Sequence, residues 1–83
     1  MKNKKIRIWW IDHRDGTERE LEVSEDLPAE ELIKALNSIF HLGIDMSDPE
    51  QCYLKTEWPI ARIRGSAPLR GWGLMNGSEI HYF

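Results

Sequence analysis

Few side chains in this sequence are of the types that do chemistry, and the first question is whether any of them could work together. Nucleophilic catalysis would rest on Cys52, with His81 as its base. A working thiol needs that base within hydrogen-bond reach, a pocket, and donors for the developing oxyanion. A lone cysteine in a strand is more often a small inert apolar residue, so Cys52 is not expected to react. Asp12-His13-Arg14-Asp15 gathers two carboxylates and an imidazole. Their spacing matches no recognised metal-ligand pattern, and a solvated turn is the expected reading. His41 falls near a helix end, where the dipole favours a cation. The sequence holds no glycine-rich phosphate loop, nucleophile elbow or His-Glu-x-x-His pair. No catalytic residue, no metal ligand and no cofactor is therefore expected, and the chain does not read as an enzyme.

Composition narrows the remaining classes. One cysteine forms neither an intramolecular disulfide nor a cysteine-based zinc site, so a chain this small without bridges points to a reducing, cytoplasmic setting. The start Met1-Lys2-Asn3-Lys4-Lys5 is basic, but an alternating pattern follows it in place of the apolar run of a signal peptide. No stretch approaches the roughly 18 apolar residues of a membrane span. The net charge of −3 is built from interspersed charges, which disfavours nucleic acid as the main ligand. Arg62, Arg64 and Arg70 read as a solvated loop and strand edge. With 83 residues the chain is one domain, 1–83. Four tryptophans are many for that length, and they serve either a small core or a binding surface.

The elements that would position these residues follow from periodicity. Ile6 to Ile11 is β-branched and aromatic, a strand. Its alternation places Ile6, Ile8 and Trp10 on one face and Arg7, Trp9 and Ile11 on the other. Asp15-Gly16 marks a hairpin turn. In the strand from Thr17 to Val23, Arg19, Leu21 and Val23 oppose Glu18, Glu20 and Glu22, which face water. Asp26 is the expected N-cap of a helix, with Pro28 in its first turn and Glu30 and Glu31 at its positive end. Leu32, Leu36, Ile39 and Phe40 form its apolar stripe, and Gly43 lies just past its end. Cys52 to Lys55 reads as a third strand and Trp58 to Ile63 as a short edge strand. A tight helical turn over Leu69 to Leu74, the turn Asn76-Gly77 and a last strand from Ser78 to Phe83 complete an α+β layout, with the helix packed on one sheet face.

That order resembles the ubiquitin-like β-grasp family along nearly the whole chain. The most specific part is the end, Leu69-Arg70-Gly71-Trp72-Gly73-Leu74-Met75-Asn76-Gly77-Ser78-Glu79-Ile80-His81. It is similar to the family's leucine, short turn, apolar residue, tight turn and final strand. The resemblance implies a mixed four- to five-stranded sheet whose last strand runs parallel to the first at the centre. It makes Leu69 and Leu74 core anchors and turns Ile80 and Tyr82 inward. Conjugated modifiers and sulfur carriers of the family use a free Gly-Gly tail, and this sequence ends His81-Tyr82-Phe83, so conjugation is not expected. Among members without that tail, the chain is most similar to the bacterial YukD (EsaB) type associated with type VII secretion of WXG100 proteins. That likeness implies a cytoplasmic accessory or regulatory component with no catalytic residues to carry over. A structural subunit or adaptor of another bacterial or mobile-element assembly is the alternative.

The two-sided first strand is the informative anomaly. If Ile6, Ile8 and Trp10 face the helix, Trp9 and Ile11 face away, and His81 and Phe83 join them from the last strand. Leu54, with Cys52, extends the cluster if Tyr53 points inward. The expected partner-binding residues are thus Trp9, Ile11, Leu54, His81 and Phe83, engaging another protein or a second copy of this chain. A covering loop, or a bulge near Asp12 that swaps Trp9 and Trp10, is the competing reading.

Overall fold

The computed structural model describes residues 4–83, and the basic start Met1-Lys2-Asn3 lies outside them. Strand β1 spans Lys5–Asp12 and β2 spans Thr17–Ser24. They pair antiparallel from Lys5 opposite Ser24 to Asp12 opposite Thr17. The tight loop between them needs a left-handed residue, and Gly16 supplies it at φ 76°. Helix α1 is Ala29–Phe40, followed by β3 at Leu54–Glu57, β4 at Ala61–Ile63, a 3₁₀ turn at Leu69–Trp72 and β5 at Glu79–Tyr82. The five strands form one mixed sheet in the order β2-β1-β5-β3-β4, with β5 parallel to β1 at its centre. The α+β layout and the central last strand are as the sequence indicated.

One face of the sheet and the helix enclose the core. Ile6, Ile8 and Trp10 of β1 and Ile80 of β5 are buried, as are Leu69 and Leu74. Trp10 is sandwiched in the aromatic layer at one end. Its ring stacks on Phe40 at 5.1 Å and on Tyr82 at 6.0 Å between centroids. Tyr82 keeps its polar tip satisfied by donating its hydroxyl to the Leu42 carbonyl at 2.7 Å.

Several local expectations are corrected. Asp26 does not cap α1: Pro28 holds the N-cap position without a side-chain hydrogen bond. The first amides instead donate to carbonyls of the following turn, Ala29 to Ala67 and Glu30 to Gly65, so the orphan donors of the helix start are met by backbone. Asp26 is left to pair with Arg70. In the helix stripe Ile33 is buried and Ile39 is exposed, because Ile39 lies at the stripe's edge while Ile33 faces its centre. His41, at φ 53°, takes the left-handed position that ends the helix, two residues before Gly43.

Strand β3 begins two residues later than expected, at Leu54 rather than Cys52. Leu54 and Thr56 point into the core, while Lys55 and Glu57 point out. Thr56 tolerates burial because its hydroxyl donates to the Pro59 carbonyl at 2.8 Å. The edge strand is shorter than expected, since Trp58 to Ile60 form the β3–β4 turn. Pro59 thus sits in a turn, where no ladder donor is required.

Candidate functional site

The open face of the sheet is built by alternation on every strand. From β1 it receives Arg7, Trp9 and Ile11, and from β2 Glu18, Glu20 and Glu22, the direct partners of Ile11, Trp9 and Arg7. From β5 it receives Glu79 beside Trp9 and His81 beside Ile11. From β3 come Lys55, opposite His81, and Glu57, opposite Glu79. Phe83 continues the outward set just past β5.

Of the five residues expected here, four lie on this face. Trp9 is 38% exposed and Phe83 71% exposed, and Ile11 and His81 are partly covered. Leu54 is not among them. It is buried in the core, because the β3 register is the opposite of the one that would send it outward. Lys55 takes its place, with its ammonium 5.5 Å from the centre of the Phe83 ring. Trp9 and Trp10 keep the faces read from strand alternation, with no bulge in the β1–β2 pairing.

His13 was missed by sequence reasoning. It follows β1 in the hairpin turn and stacks on Phe83, with ring centres 4.2 Å apart and planes 4° from parallel. Its Nε2 lies 2.7 Å from Nδ1 of His81, so one of these nitrogens donates and the other accepts. His81 is also stacked near Phe83, at 6.4 Å, and its Nε2 donates to Glu79 Oε1 at 2.9 Å. The result is a three-ring platform of His13, Phe83 and His81 at one end of the face. Phe83 separates two shallow grooves. One, of about 290 Å³, runs toward Gly43, Ile44 and Tyr53. The other, of about 420 Å³, runs between Lys55, Arg62 and the exposed Ile60.

The rest of the face is charged. Lys5 and Arg7 meet Glu20 and Glu22 in exposed pairs at 3.8 to 3.9 Å, each worth about 0 to 1 kcal/mol. These pairs set a polar rim beside the aromatic end and contribute little to the fold.

The neighbouring turn, His13 to Gly16, is exposed as expected, but Asp12 at its start is not. Asp12 is buried and accepts hydrogen bonds from the Arg14 backbone amide at 3.0 Å and from Arg14 Nη2 at 2.7 Å. The Arg14 side chain then reaches across to donate to the Phe40 and His41 carbonyls at 3.1 and 3.3 Å. Arginine thus satisfies the orphan carbonyls at the C-terminal end of α1 and ties the hairpin to it. Those hydrogen bonds hold the Asp12 carboxyl below its ordinary value.

The two groups a thiol mechanism would need are not joined. The Cys52 sulfur contacts Met46 Sδ at 3.9 Å, and burial pushes its thiol pKa up, away from the reactive thiolate. Both nitrogens of His81 are engaged by other partners. The donor atoms of Glu57, Glu79 and His81, which the sequence did not single out as a group, all lie within 4.8 Å of one another.

No protein-family model matches the chain, and no curated protein matches it by sequence. Solved structures do match. A ubiquitin-like domain of an Arabidopsis thaliana protein superposes with a TM-score of 0.68 at 15% identity, over 96% of this chain and 77% of that one. The C-terminal ubiquitin-like domain of mouse tubulin-specific chaperone e gives 0.70 at 10% identity, over 100% of this chain and 91% of that one. Protomer 1 of the ESX-3 core complex gives 0.63 at 18% identity, over 94% of this chain but only 15% of that much longer one. The chain has the ubiquitin-like β-grasp fold. Among the described residues, no helix is long and apolar enough to cross a membrane.

Proposed function

We propose that this chain is a single ubiquitin-like domain, 1–83, that binds another protein through the open sheet face and catalyses no reaction. The contact residues are Trp9, Ile11, His81 and Phe83, joined by His13. The carrying observation is the His13–Phe83–His81 platform, which holds a mostly exposed phenyl ring in a fixed orientation between two grooves. Rigid aromatic residues flanked by hollows are what partners use as anchors, since they bury large area at small entropic cost. The charged rim of Glu18, Glu20, Glu22, Arg7 and Lys55 suits a reversible contact that stays soluble when free.

The finer reading is a cytoplasmic accessory or regulatory component of a type VII secretion system handling WXG100 proteins. It is supported by the C-terminal turn pattern and by the likeness to a segment of protomer 1 of the ESX-3 core complex. The neighbourhood of the gene tests it: a secretion ATPase and WXG100 genes alongside support the reading, and their absence overturns it. The docking face is tested separately by affinity capture from the native host with the wild-type chain and the Trp9→Ala/Phe83→Ala variant. Sedimentation of the purified protein over a range of concentrations shows whether the captured partner is a second copy of this chain.

A further inference from the structure

Glu57 and Glu79 stand directly opposite each other across β3 and β5, both on the open face. Like charges so placed are destabilising unless something neutralises them. Among the described residues, neither carboxylate forms an ion pair with a lysine or arginine, and the one side chain paired with them is His81. The nearest lysine by register is Lys55, and its ammonium sits over the Phe83 ring instead. His81 is two residues from Glu79 on the same strand, so alternation places it on the same face. Its Nε2 lies 2.9 Å from Glu79 Oε1 and 3.8 Å from Glu57 Oε2. Ligand atoms around a tetrahedral zinc, at about 2.0 to 2.1 Å from the metal, are roughly 3.3 Å apart. The two observed separations bracket that value, and all three donor atoms lie within 4.8 Å of one another, so side-chain rotations bring them together.

The imidazole is also held as a ligand should be. A metal-bound histidine normally donates its other ring N–H to a fixed acceptor, which sets both tautomer and orientation. Here Nδ1 of His81 faces His13 Nε2 at 2.7 Å, so once an ion takes the place of the Nε2 proton that points to Glu79, Nδ1–H donates to His13, itself fixed by stacking on Phe83. We propose that Glu57, Glu79 and His81 form a binding site for a divalent transition-metal ion of the Zn²⁺ class. His13 positions His81, and the fourth tetrahedral position is left to water. One imidazole with two carboxylates favours such an ion over Ca²⁺ or Mg²⁺, which prefer all-oxygen sites. The site shares His81 and His13 with the docking face, but it requires no partner and is tested on the protein alone.

The test is titration calorimetry of the purified full chain with ZnCl₂ in a millimolar Mg²⁺ background, paired with thermal melts with and without Zn²⁺. One ion per chain is expected, with a raised melting temperature as the bound ion stabilises the folded state. His81→Gln should remove the binding. Glu57→Gln/Glu79→Gln keeps the imidazole and should weaken it at least about tenfold, and His13→Phe keeps the ring stack yet should weaken it about tenfold or more. His41→Gln, at the remaining histidine, should leave the Zn²⁺ affinity unchanged. Near-UV circular dichroism of the tryptophans verifies each fold. If His81→Gln does not fold, the carboxylate variant decides alone. Wild-type binding that is no tighter than in the Glu57→Gln/Glu79→Gln variant overturns the proposal, as does a Mg²⁺ background that abolishes it.

Discussion

Trp9 and Trp10 are adjacent, chemically identical, and do opposite work. Trp10 points to the helix side of the sheet and is fully buried in a stack with Phe40 and Tyr82. Trp9 points to the other side, between Glu20 and Glu79, and stays partly exposed. The inner face is a run of apolar side chains from every strand, with Leu21 and Val23 of β2 at its edge, sealed by α1. The outer face gathers its rings at one end and is otherwise charged. Burial on one side supplies the fold, and the apolar surface on the other is left available for contact. The difference between the faces, not the tryptophan count, separates structure from function here.

The largest effect should come from emptying the inner face. Trp10→Ala removes the centre of the aromatic stack and should cost about 3 to 5 kcal/mol, a large part of the stability of so small a domain. Denaturant unfolding would measure it. Leu54→Ala sharpens the assignment of β3: as a core residue it should cost about 2 to 5 kcal/mol without altering partner capture. An outward Leu54 would give the reverse.

Asp12 tests the hinge between the faces. Asp12→Asn should cost about 1 to 3 kcal/mol near neutral pH, because it weakens hydrogen bonds to a charged group in a buried setting. The pH dependence follows from the lowered carboxyl. A depressed folded value means that the stabilisation is complete above the ordinary carboxylate value of about 3.9. It is lost as pH falls through the lower, folded value. The gap between wild type and Asp12→Asn should therefore narrow as pH falls below about 4. Asp15 and Asp45 are also lowered, by Thr17 and Ser47, but both proteins keep them and their contributions cancel. The smallest effect on stability should come from the outer face. Trp9→Ala with Phe83→Ala should move it by less than about 1 kcal/mol, within the ordinary range for surface substitutions.

The inner face was legible because Ile6, Ile8, Trp10 and Ile80 follow strict alternation, and because Asp15-Gly16 and Asn76-Gly77 punctuate the strands. Leu54 was misplaced since Cys52-Tyr53-Leu54-Lys55 offers no clear polar–apolar alternation. Shifting a strand by one residue inverts every side chain on it. Glu79 was readable in principle as an outward neighbour of His81, two positions away. Glu57 was not, since its place depends on pairing between β3 and β5 that local sequence does not specify. His13 and Arg14 were read as a solvated turn. What recruits them, the Phe83 ring and the end of α1, lies far away along the chain.

The central claim is that the outer aromatic end is a binding surface and contributes little to the fold. Affinity capture from the native host with wild type and Trp9→Ala/Phe83→Ala, each with its melting temperature recorded, tests it most directly. The account predicts that the variant loses the partner while its melting temperature stays close to wild type. Capture undiminished by the substitutions, or a collapse of the melting temperature, would contradict it.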